Sequence, residues 1–191
     1  MEKQEFDEKQ AIDVIRSMIL HSQKKYGKGA DHFIVWGWCI VTAAVLTYMN
    51  FLLKLGISPG FIWFPAIGLP LVIAILKGVK SPTKNQRRSF IEYSLSGIWL
   101  GSNGVWLVMV LLGFTYGWVM IYPAFIAFFA WGTFTTGVIL KFKPLIIGGF
   151  SAFILAIAAV FVTTAEILLI MALAITITYI IPGYMLKKQE R

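Results

Sequence analysis

The chain has 191 residues, 58% of them hydrophobic and 14% charged, with a formal net charge of +8. Soluble domains run at about 45–50% apolar and about 25% charged, so these proportions exclude an ordinary soluble globule. The basic residues are scattered between apolar segments and form no stripe on one face, which excludes the nucleic-acid partner that net charge alone would invite.

Residues 1–30 read as an amphipathic cytoplasmic or interfacial helix. Ile12, Ile15, Met18 and Ile19 recur at the i, i+3, i+4, i+7 spacing that gathers apolar side chains on one helical face, with Ala11 and Tyr26 beside them. Asp13, Arg16, Ser17, Gln23 and Lys24 occupy the rest of the wheel. The apolar face is a candidate docking surface for a protein partner, a second protomer or the inner leaflet. The acidic start, with Glu2, Glu5, Asp7 and Glu8, disfavours simple adhesion to anionic lipid. Gly27 and Gly29 are placed to end this helix, and Asp31 to cap the next.

Residues 31–188 read as an all-α transmembrane domain of six helices, over 33–53, 60–77, 93–112, 119–140, 144–162 and 165–186. Each run approaches the roughly 20 apolar residues that one crossing needs. Helices are the spanning element because hydrocarbon leaves exposed backbone groups unsatisfied, and no barrel-like alternation is present. The breaks are Ser58-Pro59-Gly60, the polar stretch from Lys77 to Arg88, a tight loop bracketed by Gly113 and Gly117, Lys141-Phe142-Lys143-Pro144, and Thr163-Thr164.

Three helices carry candidate functional features. In the second, Pro65 and Pro70 flank Gly68 and predict a kink or an unwound stretch, a device that transporters place at binding sites. In the third, Gly97, Gly101 and Gly104 share a face that permits close helix packing. Its other face carries Trp99, Asn103 and Trp106, expected to line a cavity or to make an interhelical polar contact. A helix packed on both sides would be central. In the fifth, Gly148, Ala152 and Ala156 form a second ridge of small residues. Such ridges also permit a homo-oligomer.

An orientation with both ends in the cytoplasm puts 16 of the 17 basic residues on the inner side, leaving Lys54 outside, as the positive-inside bias requires. Cys39 is the single cysteine, and His21 and His32 have no third ligand near them in sequence. No catalytic constellation, metal-ligand cluster or cofactor motif appears, so no enzyme activity, metal or cofactor is expected.

The chain also resembles a family of small six-helix bacterial inner-membrane proteins to which no activity is assigned. The resemblance runs through Met18-Ile19, Ile34-Val35-Trp36-Gly37, Trp63-Phe64-Pro65-Ala66-Ile67-Gly68, Ile98-Trp99, Gly132-Thr133, Gly137, Lys141-Phe142-Lys143-Pro144 and Ile181-Pro182-Gly183. It implies a bacterial inner-membrane location and transfers no function. The expected role is a non-enzymatic scaffold or regulatory subunit that lies in the bilayer and docks through its N-terminal helix. The alternative is a small transporter or channel for a neutral or apolar solute.

Overall fold

The computed structural model describes residues 10, 12–20, 30–80, 90–163 and 165–188. Within them the regular structure is helical throughout, and six helices are long and apolar enough to cross a membrane. We number them α1 (Ala30–Leu52), α2 (Pro59–Lys80), α3 (Phe90–Tyr116), α4 (Trp118–Ile139), α5 (Lys143–Val160) and α6 (Ile167–Lys188). Residues 12–20 form a further helical segment. The expected cap at Gly27 and Gly29 lies outside the described residues, as does most of the basic stretch between α2 and α3.

The connections follow from local chemistry. Between α1 and α2 the chain turns through left-handed Lys54 (φ 51°) and Gly56 (φ 69°). Asn50 closes that loop: its Nδ2 donates to the Ile57 carbonyl at 2.8 Å, and its Oδ1 accepts from the Ile57 N–H at 3.1 Å. Asn50→Ala is therefore expected to cost about 1–2 kcal/mol, since two bonds to backbone groups disappear together. Thermal unfolding in detergent micelles checks this, and an unchanged midpoint would contradict it.

Gly117 alone joins α3 to α4, at φ 95°, a conformation side chains resist. The loop is thus shorter than Gly113 and Gly117 together predicted. Gly113 stays helical, and its missing side chain has another use: a Cβ there would meet the Trp118 ring at 2.7 Å. Between α4 and α5, Lys141 takes the left-handed conformation (φ 49°), and the Phe142 N–H bonds back to Gly137 O at 2.9 Å. Pro144 then sits in the first turn of α5, where its missing N–H costs nothing.

α6 is the most enclosed of the six helices and α2 the least. α6 packs against α1, α4 and α5, whereas among the described residues the backbone of α2 comes close to α1 alone, and that of α3 to α4 alone. The bundle is therefore a core of α1, α4, α5 and α6 with α2 and α3 attached at its flanks. Tyr179 of α6 joins the core layers, with ring centroids 5.6 Å from both Phe33 of α1 and Phe129 of α4. Gly37 and Gly183 bring α1 and α6 together: a Cβ at Gly37 would meet Ile180 Cγ1 at 2.9 Å, and one at Gly183 would meet Ile34 Cγ1 at 2.8 Å.

α6 is not a uniform α-helix. Thr176–Ile180 forms a π turn, and the Ile181 N–H reaches Thr176 O. The cause is four residues further on from Thr178, at Pro182. Proline offers no N–H to the carbonyl four residues back, and its ring crowds that carbonyl; a wider turn relieves both problems. The helix then continues through Pro182 and Gly183 to Lys188, two residues beyond the expected end at 186.

The two ends of the bundle differ. One gathers Ala30, Leu95, Leu140, Phe142, Leu145 and Leu186 into a small apolar cluster. The same end carries the Lys187–Asp31 ion pair at 2.7 Å, which ties the last turn of α6 to the first turn of α1. Both partners are about half exposed, so the pair contributes well under about 1 kcal/mol and serves mainly to mark which ends meet. Lys141, Lys143 and Lys188 are exposed here as well, while Lys54 lies at the opposite end.

Candidate functional site

The face of α3 expected to carry Trp99, Asn103 and Trp106 divides in the structure. Trp99 is half-buried and turns onto α4. Its ring lies over Gly132, where a Cβ would stand 2.8 Å from Trp99 Cη2. Its Nε1 donates to Thr136 Oγ1 at 3.3 Å, and the Thr136 hydroxyl in turn donates to Gly132 O at 2.7 Å. Trp106, two turns further on, is also half-buried against the main core. Asn103 faces outward. Its Nδ2 donates to its own helix, at Trp99 O (2.9 Å) and Leu100 O (3.4 Å).

α3 is consequently not the central, two-sided helix its sequence predicted. A Cβ at Gly97, Gly101 or Gly104 would meet nothing within 4 Å. Those three glycines look away from the bundle, and α3 is a flank. A helical wheel ranks faces by residue size and polarity; it does not contain the neighbour, and here the neighbour chose the tryptophan side.

The ridge on α5 is used inside the bundle. Ala152 and Ala156 are buried, and Gly148 lets α5 approach the π turn of α6: a Cβ there would lie 2.7 Å from Ile177 O. Among the described glycines, the tightest approach is between α4 and α5. A Cβ at Gly149 would fall 2.6 Å from Phe134 N, and one at Gly137 would fall 2.7 Å from Ile146 N. Neither Gly137 nor Gly149 stood out as a packing residue in the sequence. The available signal was symmetry. Gly137 and Ile146 are each four residues from the Lys141-Phe142 turn, and Phe134 and Gly149 are each seven.

α2 runs through Pro65 and Pro70 as one continuous helix, with Pro65 exposed and Pro70 buried. No unwound stretch forms. Trp63 of α2 stacks on Tyr122 of α4 at 6.3 Å, and its buried Nε1 has no hydrogen-bond partner among the described residues; Thr133 Oγ1, on fully buried Thr133, has none among them either. In the N-terminal segment Ile12 and Ile15 are exposed, while Met18 and Ile19 are half-buried.

A groove of about 550 Å³ lies between α4 and α5. Its lining is apolar, including Met120, Pro123, Ala127, Phe153, Ile157 and Val160, and none of Trp99, Asn103 and Trp106 borders it. Elsewhere several hydroxyls of the helices are closed on their own backbone. Thr47 bonds Ala43 O, Ser102 bonds Ile98 O, Thr176 bonds Ala172 O and Thr178 bonds Ala174 O. No family model, curated protein or solved structure matches the chain.

Proposed function

We propose that the chain is an integral protein of a bacterial inner membrane, with six crossings and both ends in the cytoplasm. Its role is that of a non-enzymatic scaffold or regulatory subunit, docking through the N-terminal helix. The observation that carries this reading is the disposition of polar groups. Apart from Trp63 Nε1 and the Thr133 hydroxyl, the buried polar groups of the helices that bond do so onto their own helix or a neighbour, as with Trp99 and Thr136, and these bonds do not converge on a shared space. Meanwhile α2 and α3 are each held from one side and present broad apolar faces outward. A bundle built this way offers surfaces. The apolar groove between α4 and α5 stands apart from Trp99, Asn103 and Trp106, which lowers the support for passage of a solute.

The gathering of the α1 start, the α4–α5 turn and the α6 end supports the orientation, because those ends carry Lys141, Lys143, Lys187 and Lys188. The resemblance to small six-helix bacterial proteins supports the location.

Ile12 and Ile15, exposed on the segment 12–20, are the side chains a cytoplasmic partner would cover. Deleting residues 1–28 tests the docking role. Loss of co-purifying partners with an intact, membrane-retained bundle is the expected result. Unchanged partners and assembly size would sink it. A phosphatase reporter placed after Lys54 is expected to be active, and one placed after Lys188 inactive; the opposite pattern would reverse the orientation.

A further inference from the structure

We propose that α3 pairs with α3 of a second copy of this chain, along an outward seam centred on Asn103. The proposal rests on the reading of α3 as a membrane crossing. Tyr93, Ser96, Leu100, Asn103 and Leu107 are all exposed, and they follow the alternating three- and four-residue steps of a heptad seam; the next position, Val110, turns half-buried onto the core, and Phe114 beyond it is exposed again. α4 occupies the other side of the helix, and the seam meets no other described element. Gly97 and Gly104 lie along its edge with open space over both, so a second backbone can come close.

Small residues by themselves name no occupant; Asn103 does. It is the middle residue of a 27-residue helix. Thirteen residues at about 1.5 Å each put it roughly 20 Å from either end. That depth is the centre of a hydrocarbon layer about 30 Å thick. Its Nδ2 is turned back on its own helix, but its Oδ1 accepts no hydrogen bond among the described residues. Lipid tails carry no donor, so an amide oxygen left facing them is costly. A carboxamide is donor and acceptor at once, and the group that matches it at the same depth is another carboxamide.

A two-fold axis beside α3 supplies one, because an isologous contact sets each residue against its own copy. Each Asn103 keeps its 2.9 Å bond to Trp99 O and redirects the N–H now held by Leu100 O at 3.4 Å to the Oδ1 across the axis. The surrounding Leu100 and Leu107 interdigitate at the shallow crossing angle that heptad spacing favours. One polar residue in an apolar seam also fixes the register, since sliding either helix leaves both amides unmatched.

The test uses the full chain with Cys39→Ala as background. Ser96→Cys, Leu100→Cys and Leu107→Cys on the seam are expected to give disulfide dimers on oxidation in membranes. Val105→Cys and Leu112→Cys, exposed on the far side of α3, are expected to give none. Equal yields on the two sides, or dimers from the far side alone, would overturn the seam. In micelles Asn103→Ala is expected to weaken dimerisation roughly tenfold, with Asn103→Gln retaining most of it. Gly101→Leu is expected to leave it unchanged. Loss with Gly101→Leu in place of Asn103→Ala would assign the contact to the glycine face and overturn the proposal. Alkaline carbonate treatment separates the two levels: release of the chain would overturn the crossing itself, while a retained but monomeric chain overturns the seam alone.

Discussion

Replacing Gly149 with alanine is expected to destabilise the bundle by about 3 kcal/mol, more than a methyl group added at any other described glycine. The added carbon would lie 2.6 Å from Phe134 N and 2.7 Å from Phe134 Cα and Cβ. These are backbone atoms and the root of a side chain, so no rotamer change makes room. α4 and α5 would have to separate along their length. Gly137, on the same hairpin, would strain with them, as would Phe134 and Phe153, whose rings meet edge to face at 6.4 Å. Helix propensity works the other way, since alanine is favoured over glycine by about 1 kcal/mol inside a helix. The steric term is larger because the obstacle cannot move. Gly101→Ala isolates the propensity term: a Cβ at Gly101 meets nothing within 4 Å. It is expected to leave the unfolding midpoint in micelles unchanged or slightly raised, while Gly149→Ala lowers it markedly. Equal midpoints for the two variants would mean that the α4–α5 contact is loose.

The two glycines show what the sequence could and could not reveal. Apolar runs as long as one bilayer crossing needs make helix positions legible from composition alone. The expected spans 60–77, 119–140 and 144–162 match α2, α4 and α5 to within three residues at each end. The third was expected too short because Gly113 and Gly117 look alike as letters. Only Gly117 needs positive φ; Gly113 is small to admit a ring. Partners are far less legible. The α3 glycines form the more conspicuous pattern, yet they face outward, while Gly137 and Gly149 carry the tightest contact. What separates them is distance from a turn: a hairpin pairs residues equally spaced on either side of it, and a GxxxG count ignores that. The π turn was partly readable, because Pro182 had to disturb the carbonyl of Thr178.

The packing also shows how a chain with so few charges in its long apolar helices still places polar groups at defined positions. Between helices in lipid the hydrophobic effect gives no drive, so close van der Waals fit and hydrogen bonds hold the bundle. Hydroxyls that bond their own helix, such as Thr47 and Thr178, lose little by lying in hydrocarbon and specify little. Groups that cross between helices specify more. Trp99 with Thr136 is such a pair within the chain, and Asn103 is placed to form one between chains.

Trp99→Ala is accordingly expected to loosen α3 from α4, at a cost of about 2–3 kcal/mol. Full truncation of a core tryptophan runs to about 3–5 kcal/mol, and the lower figure reflects a half-buried ring whose space lipid can partly fill. The loss is one of fit more than of polarity. Thr136 keeps its 2.7 Å bond to Gly132 O when the indole is gone, so no buried hydroxyl is orphaned. Thr136→Val removes the polar half of the contact and leaves the ring in place; it is expected to cost no more than about 1 kcal/mol. Gly132→Val does the reverse, pushing branched carbon into the ring position, and is expected to approach the Trp99→Ala value. Combined with Trp99→Ala, much of that cost should vanish, because the obstructing ring is absent; a double-mutant cycle on unfolding midpoints in micelles measures the coupling. Additive costs, or a Thr136→Val effect as large as that of Trp99→Ala, would show that α3 is held by the hydrogen bond and not by the ring on Gly132. The same ordering bears on the α3 seam. A flank anchored through Trp99, with Trp106 beside it, presents a fixed outward face only while that anchor holds, so Trp99→Ala is expected to weaken dimerisation without altering any residue of the seam.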